Sequence, residues 1–210
     1  EWPWLAQALH EAASMQRTHA LLVHAAPGIG AFEFALALAQ TWLCDAPRGT
    51  PADAMAAGHV GPAGQASRAD QAGEGVHVPA SRLACGRCAS CRAVQARVHP
   101  DLFVLLPETL RRERAWPLAD DRPDDDGKRK PSRQIRIDEV RAAIDWVGRT
   151  ASRGRGKVWL LHPVEALNEH SASALLKTAE EPPSGTRLVL TCSDPLAILP
   201  TVRSRCQRLR

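Results

Sequence analysis

The sequence predicts an α/β fold, a mostly parallel sheet with helices on both faces. Three apolar runs read as buried strands: Ala20-Leu21-Leu22-Val23, Val158-Trp159-Leu160-Leu161 and Leu188-Val189-Leu190-Thr191. Segments with helical periodicity alternate with them, which favours parallel strands joined by helical crossovers. A Gly-rich turn, Pro27-Gly28-Ile29-Gly30, joins the first strand to the helix that follows.

Trp2 to Met15 has the period of a helix, and Phe32 to Leu43 (FEFALALAQTWL) predicts a second one after the Ala20–Val23 strand. From Asp45 to Ser81 the composition shifts to Ala, Gly, Pro and scattered polar residues. Such a stretch buries too little apolar surface to fold alone, so residues 45–81 are expected to form a flexible insertion. Leu102 to Leu106 predicts a strand that stops at Pro107. Arg111 to Arg133 is dense in opposed charges and predicts a solvated loop. Asp138 is placed to cap a helix over Glu139–Gly148, whose apolar face carries Val140, Ala143, Ile144 and Val147. Ser171–Glu180 predicts the helix before the last clear strand. The chain thus divides into residues 1–44 as the first part of a core, the 45–81 insertion, a small module at 82–101, and the rest of the core at 102–210 with its charged loop at 111–133. No internal repeat is visible.

A hydrophobic content of 44% over 210 residues argues against global disorder. The formal net charge of +4 is a weak electrostatic footprint for direct nucleic-acid binding, so any DNA association is expected to be indirect. No run of about 18 apolar residues and no signal-peptide pattern is visible, which predicts a cytoplasmic protein without a membrane partner.

Cys85-x-x-Cys88-x-x-Cys91 has the short spacing that lets three thiolates converge on one ion. A tetrahedral structural zinc needs a fourth ligand. Cys44, at the end of the helix after the Gly-rich turn, is the leading candidate; His99, close to Cys91, is the rival. An iron–sulfur site would want a further cysteine followed by proline, and Gln95 and Ala96 stand there instead. With every position filled by protein the zinc would be structural, not catalytic. Cys192 and Cys206 lie in or beside apolar segments and read as buried thiols.

The turn at Pro27–Gly30 has the setting of a phosphate-binding loop. In G-x-x-x-x-G-K-[ST], backbone N–H groups cradle phosphates, Lys reaches the β/γ-phosphates and the hydroxyl holds Mg²⁺. Aligned on Gly28 and Gly30, this chain has Ala31 where Lys belongs and Phe32 where the hydroxyl belongs. Both binding groups are missing, and the turn taken alone also reads as an ordinary strand-turn-helix.

Residues 168–183 (NEHSASALLKTAEEPP) closely resemble the N-A-L-L-K-T-L-E-E-P-P signature of clamp-loader ATPases, and Ser204-Arg205-Cys206 matches their S-R-C motif. With Cys44, the cysteine triplet and His99-Pro100-Asp101, the whole chain resembles the N-terminal AAA+ module of bacterial DNA polymerase III clamp-loader subunits. The resemblance implies a P-loop AAA+ type sheet carrying an inserted small zinc-binding module. It also implies an acidic pair after the Val158–Leu161 strand, where His162-Pro163 stands instead. Glu165 is out of register and reads as a surface carboxylate; Thr191 and Ser193 fall near the family's sensor position. Arg205 is then the arginine that reaches across a subunit interface to a neighbour's γ-phosphate.

The pattern fits the family's non-hydrolysing stator subunit of the DNA-directed DNA polymerase holoenzyme. Such a subunit binds no ATP itself and works in a hetero-pentamer with ATPase subunits and the delta subunit. Together they place the sliding clamp on primed DNA. The family's helical lid and C-terminal collar would follow Arg210. Two other readings remain: an active clamp-loader ATPase with a degenerate loop, or a zinc-stabilised DNA-binding module using Arg82, Arg87, Arg92 and Arg97.

Overall fold

A computed structural model describes residues 3–15, 19–46, 83–117 and 130–209. The expected insertion at 45–81 lies outside these residues apart from its first two, as do Arg82 and the middle of the charged loop.

Helix α1 (Pro3–Ser14) leads into β1 (Ala20–His24), and α2 (Ala31–Leu43) follows the Gly-rich turn. Then come α3 (Ala89–Gln95), β2 (Leu102–Leu105), α4 (Glu108–Glu113), α5 (Ile137–Val147) and β3 (Lys157–Leu161). A 3-10 turn (Val164–Ala166), α6 (Glu169–Glu180), β4 (Thr186–Cys192), α7 (Pro200–Arg203) and β5 (Gln207–Leu209) complete the described chain. The five strands form one sheet in the order β2-β3-β4-β1-β5, every pair parallel.

Side chains alternate across a strand, so each apolar run feeds two cores. Leu22, Trp159, Leu188 and Leu190 pack with α5, α6 and α7 through Val140, Ala143, Leu175 and Val202. Leu21, Val23, Val158 and Val189 pack on the other face with α1, α2 and α3 through Leu9, Leu38, Trp42 and Val94. This is the expected α/β sheet with helices on both faces. Burying each such large side chain contributes roughly 1.5–3 kcal/mol.

Two local departures shape the site. The charged segment expected as a solvated loop starts as helix α4, because Glu108 pairs with Arg112 one turn on at 2.8 Å and Arg111 reaches Glu139 at 3.2 Å. Helix α5 starts before Asp138, at Ile137. Glu139 serves its N-terminus by accepting the Arg136 N–H at 2.8 Å, so Asp138 is not the cap.

Candidate functional site

The Gly-rich turn leaves β1 and enters α2 with left-handed φ at Gly28 (83°) and Gly30 (94°). Nothing crowds the Gly28 Cα, so its need for glycine is conformational. Over the turn lies a cavity of about 410 Å³ bordered by Ala31, Phe32, Glu33, Arg114, His162 and Ser193. Phe32 is only 4% exposed. Its ring meets Trp116 edge-on at 5.7 Å and lies 5.2 Å from the His162 imidazole. The Arg114 guanidinium covers the same ring at 4.4 Å and pairs with Glu33 at 2.6 Å.

An apolar ring therefore fills the first turn of α2, where the phosphate-loop motif would call for a hydroxyl, and the cation beside it is already engaged. Burial alone would raise the Glu33 carboxyl, but the Arg114 hydrogen bond and charge outweigh it and hold the group below the usual carboxylate range. Where the acidic pair would follow β3, His162 shares a 2.6 Å hydrogen bond between its Nδ1 and Thr191 Oγ1. Burial, aided by the Arg114 charge, pushes this imidazole down to about 4. It is neutral at physiological pH and brings no anionic metal ligand.

Glu165 departs from its reading as a surface carboxylate. Its Oε1 accepts from the Ser193 N–H at 2.5 Å, the Ser193 hydroxyl at 3.0 Å and the Asp194 N–H at 2.8 Å. It closes the turn after β4, on residues expected near the sensor position.

The cysteines form a second site. Cys44 ends α2, Cys88 is the N-cap of α3, Cys91 lies in its first turn and Cys85 precedes it. The four Sγ atoms all lie within 4.8 Å of one another, with Cys44–Cys88 at 3.9 Å and Cys85–Cys91 at 4.0 Å. Metal–sulfur bonds of about 2.3 Å in a tetrahedron require sulfurs about 3.8 Å apart, so the donor set fits such an ion. Backbone N–H groups of Cys85, Cys88, Cys91 and Asp45 approach these sulfurs at 3.3–3.4 Å, the outer contacts expected around thiolates.

Burial pushes the Cys44 and Cys91 thiols up, whereas the Arg87 N–H draws Cys85 down to about 6. A cation shared by all four would favour the ionised forms that unassisted burial opposes.

The rival ligand is engaged elsewhere. His99 Nε2 meets Ser90 Oγ at 3.1 Å, and its Nδ1 accepts the Asp101 N–H at 3.1 Å. Asp45 accepts from the Ser90 N–H and hydroxyl at 3.0 and 2.8 Å and from Arg153 at 3.2 Å. Asp101 takes the Ser152 and Arg153 N–H groups at 2.7 and 2.8 Å. The cysteine cluster is thus stapled to the loop that leads into β3.

Arg205 lies away from both, in the turn between α7 and β5. Val202 and Cys206 on either side of it are buried, which anchors the turn while its arginine side chain stays about one-third exposed. The guanidinium Nε donates to Glu180 Oε1 at the end of α6, and Nη1 donates to the Thr201 carbonyl at 2.8 Å.

The family model described as DNA polymerase III, delta subunit, matches residues 74–210. The chain belongs to this family. DNA polymerase III subunit delta' of Pseudomonas aeruginosa is 40% identical over 128 residues, 61% of this chain and 33% of that protein. The delta' subunit of Yersinia pestis is 31% identical over 210 residues, 98% of this chain and 46% of that protein. DNA polymerase III subunit tau of Escherichia coli is 30% identical over 122 residues, 58% of this chain and 15% of that protein. The chain spans half or less of the length of these relatives. A solved structure of a DNA polymerase III gamma subunit-related protein from Thermotoga maritima shares the fold, with a TM-score of 0.50 at 16% identity over 97% of this chain and 44% of that one.

Within this family member, the expected residues fall into three places. Gly28, Gly30, Ala31 and Phe32 border the cavity together with His162; the four cysteines converge; Arg205 stands apart. Sequence reasoning missed Glu33 and Arg114 at the cavity, Trp116 against the Phe32 ring and Glu180 beside Arg205. Of the arginines weighed as DNA contacts, Arg97 is exposed but already engaged, donating to the Arg114 and Ala115 carbonyls at 2.5 and 2.6 Å.

Proposed function

We propose that this chain is the core module of a non-hydrolysing, delta'-type subunit of the DNA polymerase III clamp loader. It acts in the cytoplasm within a hetero-pentamer of ATPase and delta subunits, helping to place the sliding clamp on primed DNA. It binds no ATP of its own and presents Arg205 as an arginine finger to the γ-phosphate held by a neighbouring ATPase subunit. The observation that carries this reading is Phe32, packed beneath Arg114 and beside His162 where a P-loop enzyme needs a hydroxyl and a metal. Hydrolysis also calls for a Lys and an acid after β3, and Ala31 and His162 stand in their places. Arg205, on a different part of the surface, is free of this collapse.

Residues 1–44 and 102–210 form the AAA+ core in this reading, and 82–101 with Cys44 form a structural zinc module. Cys44, Cys85, Cys88 and Cys91 would hold the zinc. Its contribution is to join the end of α2 to α3, and Asp45, Ser90 and Arg153 extend that joint to the loop before β3. Elemental analysis of purified protein should return one zinc per chain, falling to none in a Cys91→Ser variant. A metal-free wild-type chain that melts at the same temperature would contradict this role.

The finger is tested in a loader reconstituted with the full-length subunit. Arg205→Ala should lower clamp- and DNA-stimulated ATP turnover by roughly 10³-fold, the lower end of what arginine fingers supply, with assembly intact. Unchanged turnover would refute it.

A further inference from the structure

We propose that Glu180 is the positioning residue for Arg205, which deepens the finger reading and rests on it. An arginine side chain on a surface turn has rotamer entropy to lose before it can meet a phosphate in one geometry. In this chain two of the guanidinium's three nitrogens are already held. Nε donates to Glu180, and Nη1 donates to the Thr201 carbonyl at 2.8 Å. The Ser204 hydroxyl donates to that same carbonyl at 3.1 Å, which ties the turn's backbone to the point where the guanidinium rests. Because the fork is planar, fixing Nε and Nη1 fixes the plane and the direction of Nη2. Among the described residues, Nη2 carries no hydrogen bond.

Each anchor is itself fixed by the fold. Glu180 is the last residue of α6, whose Ala172, Leu175 and Ala179 are buried in the core. Thr201 belongs to α7, seated through the buried Val202. The same core holds Ala172, Leu175, Ala179 and Val202 together with Cys206, directly after Arg205. The guanidinium is therefore referenced to the sheet through two separate helices. The motif that ends α6 and the motif that carries Arg205 are joined at one atom pair.

Stability does not account for the Glu180 contact. Its side chain is 44% exposed and that of Arg205 34%. Pairs this exposed contribute little to stability. Removing the carboxylate therefore leaves the fold standing, and any large effect on turnover reports orientation. A carboxylate in this place could instead mask the guanidinium by competing with the phosphate, and the two roles predict opposite signs.

The test is steady-state ATP turnover, with clamp and primed DNA, of loaders assembled with full-length wild type, Glu180→Ala, Glu180→Gln, Arg205→Ala or the Arg205→Ala/Glu180→Ala pair. Glu180→Ala should lower kcat by roughly 10- to 100-fold with KM for ATP unchanged, the scale of loss that follows a misplacement of about 1 Å. Glu180→Gln keeps an acceptor for the Nε–H and should recover part of that loss. The double variant should be no worse than Arg205→Ala alone, as for two groups acting through one. Unchanged or faster turnover in Glu180→Ala, or additive losses in the double variant, would overturn the positioning role. If Arg205→Ala itself turns over like wild type, the finger reading fails first.

Discussion

Two of the chain's arginine–glutamate pairs differ in where the arginine points. Arg114 folds over Phe32 and pairs with Glu33, inside the cavity above the Gly-rich turn. Arg205 is held along one edge by Glu180 and Thr201 on the outside of the molecule. In the first pair the cation is used up by its own protein; in the second it is steadied while part of it stays open. In the proposed reading, a strand-turn-helix of the phosphate-binding type keeps its backbone while its side chains close in on one another. Function on that reading falls to Arg205, aimed at another subunit's site.

The contrast is sharpest in turnover. Arg114→Ala should leave the assembled loader's ATP hydrolysis within about twofold of wild type, whereas Arg205→Ala should cost roughly 10³-fold. A large loss from Arg114→Ala would show the inner pair to be functional and erase the distinction.

Acid should next strain the inner region. His162 is held at about 4 in the folded chain against an ordinary value of about 6.5, so between those values the unfolded state binds the extra proton. Its stabilising contribution is full above about pH 6.5 and is lost as pH falls towards 4, roughly 2 kcal/mol after allowance for partial exposure. Denaturant unfolding between pH 7 and 4.5 should show this slope, and His162→Asn should flatten it; an unaltered slope would place the acid sensitivity elsewhere.

The smallest effect concerns stability at neutral pH. Arg114→Ala removes a cation–π contact and an ion pair, which should cost about 1 kcal/mol. Glu180→Ala should cost less than about 0.5 kcal/mol. Equal losses in urea melts would mean that the Phe32 ring contact does not separate the two pairs.

The fold was legible wherever an element is long and apolar. β1, β3, β4, α2 and α6 are continuous runs or clear periods, and each falls within a few residues of its expected place. Helices α3, α4 and α7, of seven, six and four residues, and the three-residue β5 are too short to show a period. They form because neighbours hold them. The cysteine cluster was readable because four thiols at such spacing have few other uses, and the geometry favoured Cys44 over His99. Arg114 and Trp116 were hidden in a charge-rich segment. Their partners Glu33 and Phe32 lie 81 and 84 positions earlier in the chain, and no local pattern encodes that distance. Glu180 was visible only as part of a motif; its contact with Arg205 spans 25 positions and needs the packing of α6 beside α7.

In the proposed reading the site over the Gly-rich turn has lost its nucleotide while Arg205 serves as a finger for another site. Calorimetric titration of this chain with Mg-ATP tests the first half directly. The expected result is no binding heat into the millimolar range, and a saturable site of micromolar affinity would contradict it.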